Sequence, residues 1–207
     1  IGTIAHTDWL EELVELDSEF IRTDTNMQTS QDRIYAAGDD PWSFRTSQYE
    51  QAKFRATRDA LPRRSYRSAL ELGCGNGELA KHLAPLCAAY TGVDAVETAL
   101  AAARKAVPEG KFHQAFLPAP LPGEAHDLVL LSEVLYFLDP AGLAELAQQI
   151  DTRWPDCDVV CVTWLGPSGN PLEGAQALEC FKTASRRTFS QVAATDDYRI
   201  DVARGQS

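Results

Sequence analysis

Long apolar runs, basic charge and metal-ligand spacings are all scarce in this chain of 207 residues. No stretch approaches the roughly 18 consecutive apolar residues that suggest a spanning helix. The first residues also lack the basic-then-apolar pattern of a leader, so a cytoplasmic protein without a membrane partner is expected. Lys and Arg number 19 against 30 Asp and Glu, a formal charge of -11. Without a broad cationic field the chain has little with which to hold polyanions, and nucleic acid is excluded as the expected partner. The five cysteines, an odd number, contain no C-x-x-C spacing, and His6, His82, His113 and His126 stand apart. Neither a disulfide framework nor a protein-bound metal is therefore expected. What remains is 44% hydrophobic and 24% charged residues, the balance of a globular protein able to bury a full core.

Trp9, Leu13, Leu16 and Phe20 recur at three- and four-residue spacing, which predicts an amphipathic helix over residues 8–21. Residues 1–34 read as a helical appendage and 35–207 as the main domain. A turn is expected at Gly38-Asp39-Asp40-Pro41, and Ser47-Gln48-Tyr49-Glu50 reads as a capping box opening a helix that runs to about Ala60. From Tyr66 onward, short apolar runs (68–72, 89–93, 111–115, 127–131 and 159–164) alternate with helical patterns (77–86, 96–106, 140–153 and 173–184). That alternation predicts a doubly wound parallel sheet. Residues 188–193 and 198–203 flank a hairpin-like turn. The expected fold is α/β: a Rossmann-like, seven-stranded, mostly parallel sheet with an antiparallel C-terminal hairpin and an N-terminal helical cap.

The first strand runs into Glu71-Leu72-Gly73-Cys74-Gly75-Asn76-Gly77 and then into a helix. These glycines fall at the C-terminal edge of a parallel strand, where open α/β sheets hold ligands. A backbone without Cβ atoms can take conformations closed to other residues and lets a ligand lie against the main chain. The second strand ends at Val93-Asp94, about twenty residues on, where a carboxylate can accept hydrogen bonds from a ribose diol. The dinucleotide fingerprint G-x-G-x-x-G fails at its third glycine, replaced by Glu78, an anion where a pyrophosphate would sit. The P-loop pattern fails as well, because no Lys-Ser or Lys-Thr follows. A ribose site without phosphate machinery suits S-adenosylmethionine. The competing reading is a glycine-rich turn beside a solvated Asp94.

On these residues the chain resembles class I S-adenosylmethionine-dependent methyltransferases: the Glu71-to-Gly77 segment looks like their first motif, and Asp94 like the acidic end of their second strand. Asp39-Asp40-Pro41-Trp42, the Tyr49-Glu50 helix start and Ser132-Glu133-Val134-Leu135-Tyr136-Phe137-Leu138 resemble, more narrowly, the NodS-like group. Its namesake N-methylates the free amino sugar of a chitooligosaccharide. The resemblance covers roughly residues 35–203. It implies cofactor contacts from Trp42, Glu71, Gly73, Gly75, Asp94, Ala95 and Ser132, and a small-molecule acceptor, foremost an amine on a sugar or sugar-derived metabolite. O-methylation of a secondary metabolite and a cofactor-binding scaffold without turnover stand as alternatives. Two departures are plain. The Asp usual after the third strand gives way to His113-Gln114-Ala115-Phe116-Leu117-Pro118, and a Pro-Gly-Gly turn to Trp154-Pro155-Asp156. The adenine is then expected against Ala95, Phe116 and Leu117, through backbone amides and apolar packing.

Methyl transfer from a sulfonium is a direct displacement, in which the protein holds nucleophile and methyl in line and excludes water. Ser132, Glu133 and Tyr136 follow the fourth strand, beside the first, and should border the sulfonium. Glu133 is the candidate to bind an acceptor ammonium and take its proton, with Tyr136 directing it. Capping supplies a rival account: Ser132 as a helix N-cap, Glu133 in the first turn. Trp42 reads either as a cation-π partner or as a core anchor. The Arg63, Arg64 and Arg67 cluster reads as a phosphate clamp or, better, as a solvated connection. Trp164 opens toward the loop 166–171, where stacking on a ring and core packing are both open. Oligomeric state is not set by the sequence.

Overall fold

The computed structural model describes residues 38–205. The helix expected over 8–21 and the boundary between 34 and 35 lie outside the described residues. Helix α1 (Gln48–Asp59) opens where the Ser47 hydroxyl accepts the Glu50 N–H at 3.2 Å. Half of the expected capping box forms. The Ser47 N–H donates instead to the Ser43 carbonyl at 2.8 Å, and Glu50 places Oε2 2.8 Å from Lys53 Nζ.

Seven strands, β1 (Ala69–Leu72), β2 (Tyr90–Asp94), β3 (Lys111–Gln114), β4 (Leu128–Ser132), β5 (Asp158–Trp164), β6 (Ser190–Ala194) and β7 (Tyr198–Ala203), form one sheet. Their order is β3-β2-β1-β4-β5-β7-β6. The first five run parallel, and β7 is antiparallel to both β5 and β6. The order reverses between β1 and β4, so the loops leaving these two strands diverge and open a crevice at their C-terminal ends.

Helices α2 (Glu78–Leu83) and α3 (Glu97–Ala106) join α1 on one face, where Phe54, Leu79, Leu83, Leu100 and Ala103 pack with Leu128, Leu130 and Val160. On the other face lie α4 (Pro140–Arg153) and α5 (Gly174–Ala184), where Leu143, Leu146, Ile150, Leu178 and Phe181 pack with Leu70, Leu72, Val129, Leu131 and Val159. With both faces covered, the inner strands are continuous apolar runs rather than alternating ones.

Two boundaries differ for identifiable reasons. The helix expected over 77–86 ends at Leu83 and tightens into a 3-10 turn at Ala84–Leu86, because Pro85 has no N–H for the helical ladder. After Ser132 no α-helix begins: a single 3-10 turn, Leu135–Phe137, precedes α4, which Asp139 caps by accepting the Gly142 N–H at 2.7 Å. Ser132 as a helix N-cap and Glu133 as a first-turn residue are thereby overturned. Among the described residues no helix is long and apolar enough to cross a membrane.

Candidate functional site

The loop after β1 turns through left-handed backbone at Gly73 (φ +79°), Gly75 (+49°) and Gly77 (+81°). Two of these glycines are required by packing. A Cβ on Gly73 would stand 2.6 Å from the Ser132 carbonyl, and one on Gly77 2.8 Å from the Ala103 backbone. At Gly75 the N–H donates to Asp94 Oδ2 at 2.8 Å, while Oδ1 accepts the Val96 N–H at 3.0 Å. Burial raises the Asp94 pKa from its ordinary value, and these backbone donors oppose the shift. Each carboxylate oxygen keeps a second lone pair. The half-buried Asp94 is therefore oriented by the main chain and still able to accept from a diol in the crevice.

Asn76 links that loop to the segment before α1. Its Nδ2 donates to the Asp39 carbonyl at 3.1 Å and to Asp40 Oδ1 at 3.0 Å, and Asp40 Oδ1 also accepts the Phe44 N–H at 2.8 Å. So held, Trp42 packs on Val96 and Ala99, as Ala95 does, and stacks on Phe44 with centroids 5.5 Å apart. Gln114 Nε2 closes the neighbouring side by donating to the Ala95 carbonyl at 2.8 Å. Phe116 and Leu117 follow, both half-buried. Trp42, Asp94, Ala95, Phe116 and Leu117 thus gather at one end of the sheet.

At the opposite edge of the sheet Asp127 accepts the Arg67 and Ser68 N–H groups at 3.0 and 2.8 Å. Arg63 pairs with Asp158 at 3.0 Å and Arg67 with Asp127 at 3.4 Å. Both arginines lie at that far edge, where they fit a connection and not a phosphate clamp over the glycine loop.

Glu71 and Glu78, at either end of the glycine loop, meet partners that the sequence does not announce. Glu71, expected to touch the cofactor, is fully buried beneath the loop, where Oε2 accepts the Tyr90 hydroxyl at 2.7 Å. Its other oxygen, Oε1, is buried without a hydrogen-bond partner. Desolvation pushes its carboxyl up to about 8, against the Tyr90 hydrogen bond. A folded-state pKa above the ordinary 4.5 means that folding takes up a proton in between. This contribution is complete below that value and is lost as pH rises through about 8, with a slope of at most about 1.4 kcal/mol per pH unit. Glu71→Gln should flatten the decline in melting temperature across this window. An identical decline in the variant would assign the effect to other groups. Glu78 turns aside from the loop mouth, its carboxylate 2.5 Å from Lys81 and 3.5 Å from Arg45.

At the end of β4, Glu133 donates its N–H to the Val162 carbonyl at 2.9 Å and then adopts φ +50°. A non-glycine residue in that region costs about 1 to 2 kcal/mol. The turn brings Glu133 Oε1 to 2.5 Å from Lys53 Nζ. Lys53, on α1, is 3% exposed and also meets Glu50. Desolvation pulls its pKa down, but the Glu133 and Glu50 carboxylates outweigh it and hold the ammonium charged. Burial, reinforced by the Glu133 charge, pushes the Tyr136 phenol well above its usual range, so it acts as a neutral hydroxyl. Glu133→Gly, which relieves the backbone, is expected to be about 1 kcal/mol more stable than Glu133→Ala. Urea midpoints of the two variants measure this, and equal midpoints would refute the strain.

The sequence marks Asn76 and Glu50 only as members of the glycine motif and of the capping box, and Lys53 not at all. Glu50 and Lys53 look like an ordinary surface pair at i and i+3. Their signal was positional: with Phe54 and Thr57 they occupy the i, i+3, i+4, i+7 stripe that α1 buries.

The profile of the Nodulation protein S (NodS) family matches residues 25–151. Nodulation protein S of Bradyrhizobium diazoefficiens is 37% identical over 181 residues, covering 79% of this chain and 85% of that protein. The Sinorhizobium fredii protein of the same name is 29% identical over 145 residues, 67% of this chain, which spans 62% of that relative's length. Among solved structures, N-methyltransferase NodS from Bradyrhizobium japonicum, in complex with S-adenosyl-L-homocysteine, aligns with a TM-score of 0.72. It is 20% identical, over 87% of this chain and 99% of that one, a likeness of fold.

Proposed function

The chain belongs to the NodS family of S-adenosylmethionine-dependent methyltransferases, and from that premise we propose that it N-methylates an amino sugar or a sugar-derived amine. The glycine loop, the oriented Asp94 and the apolar flank of Trp42 and Ala95 fit the cofactor's ribose and adenine. S-adenosylmethionine supplies an electrophilic methyl group on a sulfonium. Asp94 accepts from the ribose diol, Gly75 lets the ligand lie against the main chain, and Phe116 and Leu117 close the adenine side.

One observation carries the acceptor assignment: Glu133 stands at the end of β4, where the Ser132 carbonyl closes on Gly73 of the glycine loop, and its carboxylate, 23% exposed, already holds an ammonium, that of Lys53. A carboxylate attracts an ammonium and can take its proton before the free amine attacks. An alcohol would need a stronger base, and the neutral Tyr136 hydroxyl does not supply one. The name of the similar structure, an N-methyltransferase, supports the same reading. The test is methyl transfer to a glucosamine oligomer and to its fully N-acetylated counterpart. The amine form should be methylated and the acetylated form should not. Equal transfer to both would move the reaction to a hydroxyl, and transfer to neither would remove the amino sugar as acceptor.

A further inference from the structure

Helix α1 carries Lys53 within the stripe it shares with Phe54 and Thr57, 3% exposed. Burying an ammonium is costly unless carboxylates and hydrogen bonds compensate, and apolar residues of similar volume often serve stability as well or better. Of the two carboxylates that Lys53 meets, Glu50 is on its own helix and 1% exposed. Glu133 comes from the end of β4, is 23% exposed, and reaches the lysine only through left-handed backbone. Two separately unfavourable features, a buried charge and a strained residue, converge on one carboxylate at the crevice. Stability explains neither.

We propose that Lys53 is a positioning residue of the methyl-acceptor site, occupying Glu133 Oε1 so that Oε2 is presented to the acceptor's ammonium in a fixed orientation. The inference rests on the amine reading above. The lysine donates to Glu133 Oε1 at 2.5 Å and forms an ion pair with Glu50 Oε2 at 2.8 Å, while the Tyr49 ring centroid lies 5.5 Å from Nζ. Anchored on both sides, Nζ cannot follow a wandering carboxylate, so Glu133 is held from α1 and not only by its own strand. Because the lysine stays charged, it does not compete for the acceptor's proton. Tyr136, beside Glu133, is likewise kept protonated.

Calorimetry on the full chain saturated with S-adenosylhomocysteine, titrated with a glucosamine oligomer and with its N-acetylated counterpart, tests this without turnover. Wild type should prefer the amine by about tenfold or more, the scale of a charge-assisted hydrogen bond. Lys53→Met should erase that preference, as Glu133→Gln should, while leaving S-adenosylhomocysteine affinity as in wild type. If Lys53→Met does not fold, Lys53→Met/Glu50→Gln, which removes the stranded buried charge, is expected to give the same loss. A folded variant that keeps the preference while Glu133→Gln loses it overturns the role of Lys53 alone. Equal weakening of S-adenosylhomocysteine and amine would mark Lys53 as a residue of the fold and overturn it too. No preference in wild type itself would overturn the amine reading, and this inference with it.

Discussion

Asp94→Ala should weaken S-adenosylhomocysteine binding by at least about tenfold, from the 1.5 to 3 kcal/mol that hydrogen bonds to a charged acceptor contribute. The geometry argues for the upper part of that range. Besides offering lone pairs to a diol, this carboxylate accepts the Gly75 N–H at 2.8 Å and the Val96 N–H at 3.0 Å. Alanine would therefore remove the ligand's partner and also release the loop on which the ligand lies. Titration calorimetry measures the loss, and an unchanged dissociation constant would take Asp94 out of the cofactor site. Gly75→Val should be at least as damaging, since a β-branched residue is poorly accommodated at φ +49°.

The second large effect belongs to turnover. Glu133→Gln keeps the shape of the side chain and removes its charge, so the amine loses its counter-ion and its proton acceptor together. Loss of proton transfer alone lowers rates by about 10²- to 10⁴-fold. The drop should appear in kcat with the glucosamine oligomer, while cofactor affinity stays near wild type. Full turnover in the variant would reduce Glu133 to a structural partner of Lys53, with catalysis by positioning alone.

Much of this architecture was legible in the chain because parallel strands covered on both faces leave continuous apolar runs, which β4 (Leu128–Ser132) and β5 (Asp158–Trp164) carry plainly. Helix α4 was legible to the residue from its Asp139-Pro140 start. The glycine loop was readable because left-handed backbone at Gly73, Gly75 and Gly77 demands glycine. Side-chain direction was not. Glu71 carries no mark that it faces Tyr90 beneath the loop, nor does Glu78 show that Lys81 and Arg45 draw it aside. The Lys53–Glu133 pair joins residues 80 apart, a separation that no local pattern reports. The left-handed turn at Glu133 was hidden because a glutamate is seldom placed there.

The most direct test of the account is to locate the methyl group delivered from carbon-13-labelled S-adenosylmethionine to a glucosamine oligomer by NMR of the product. A labelled methyl bonded to nitrogen is expected in wild type and, at greatly reduced yield, in Glu133→Gln. A labelled methyl on oxygen would contradict it.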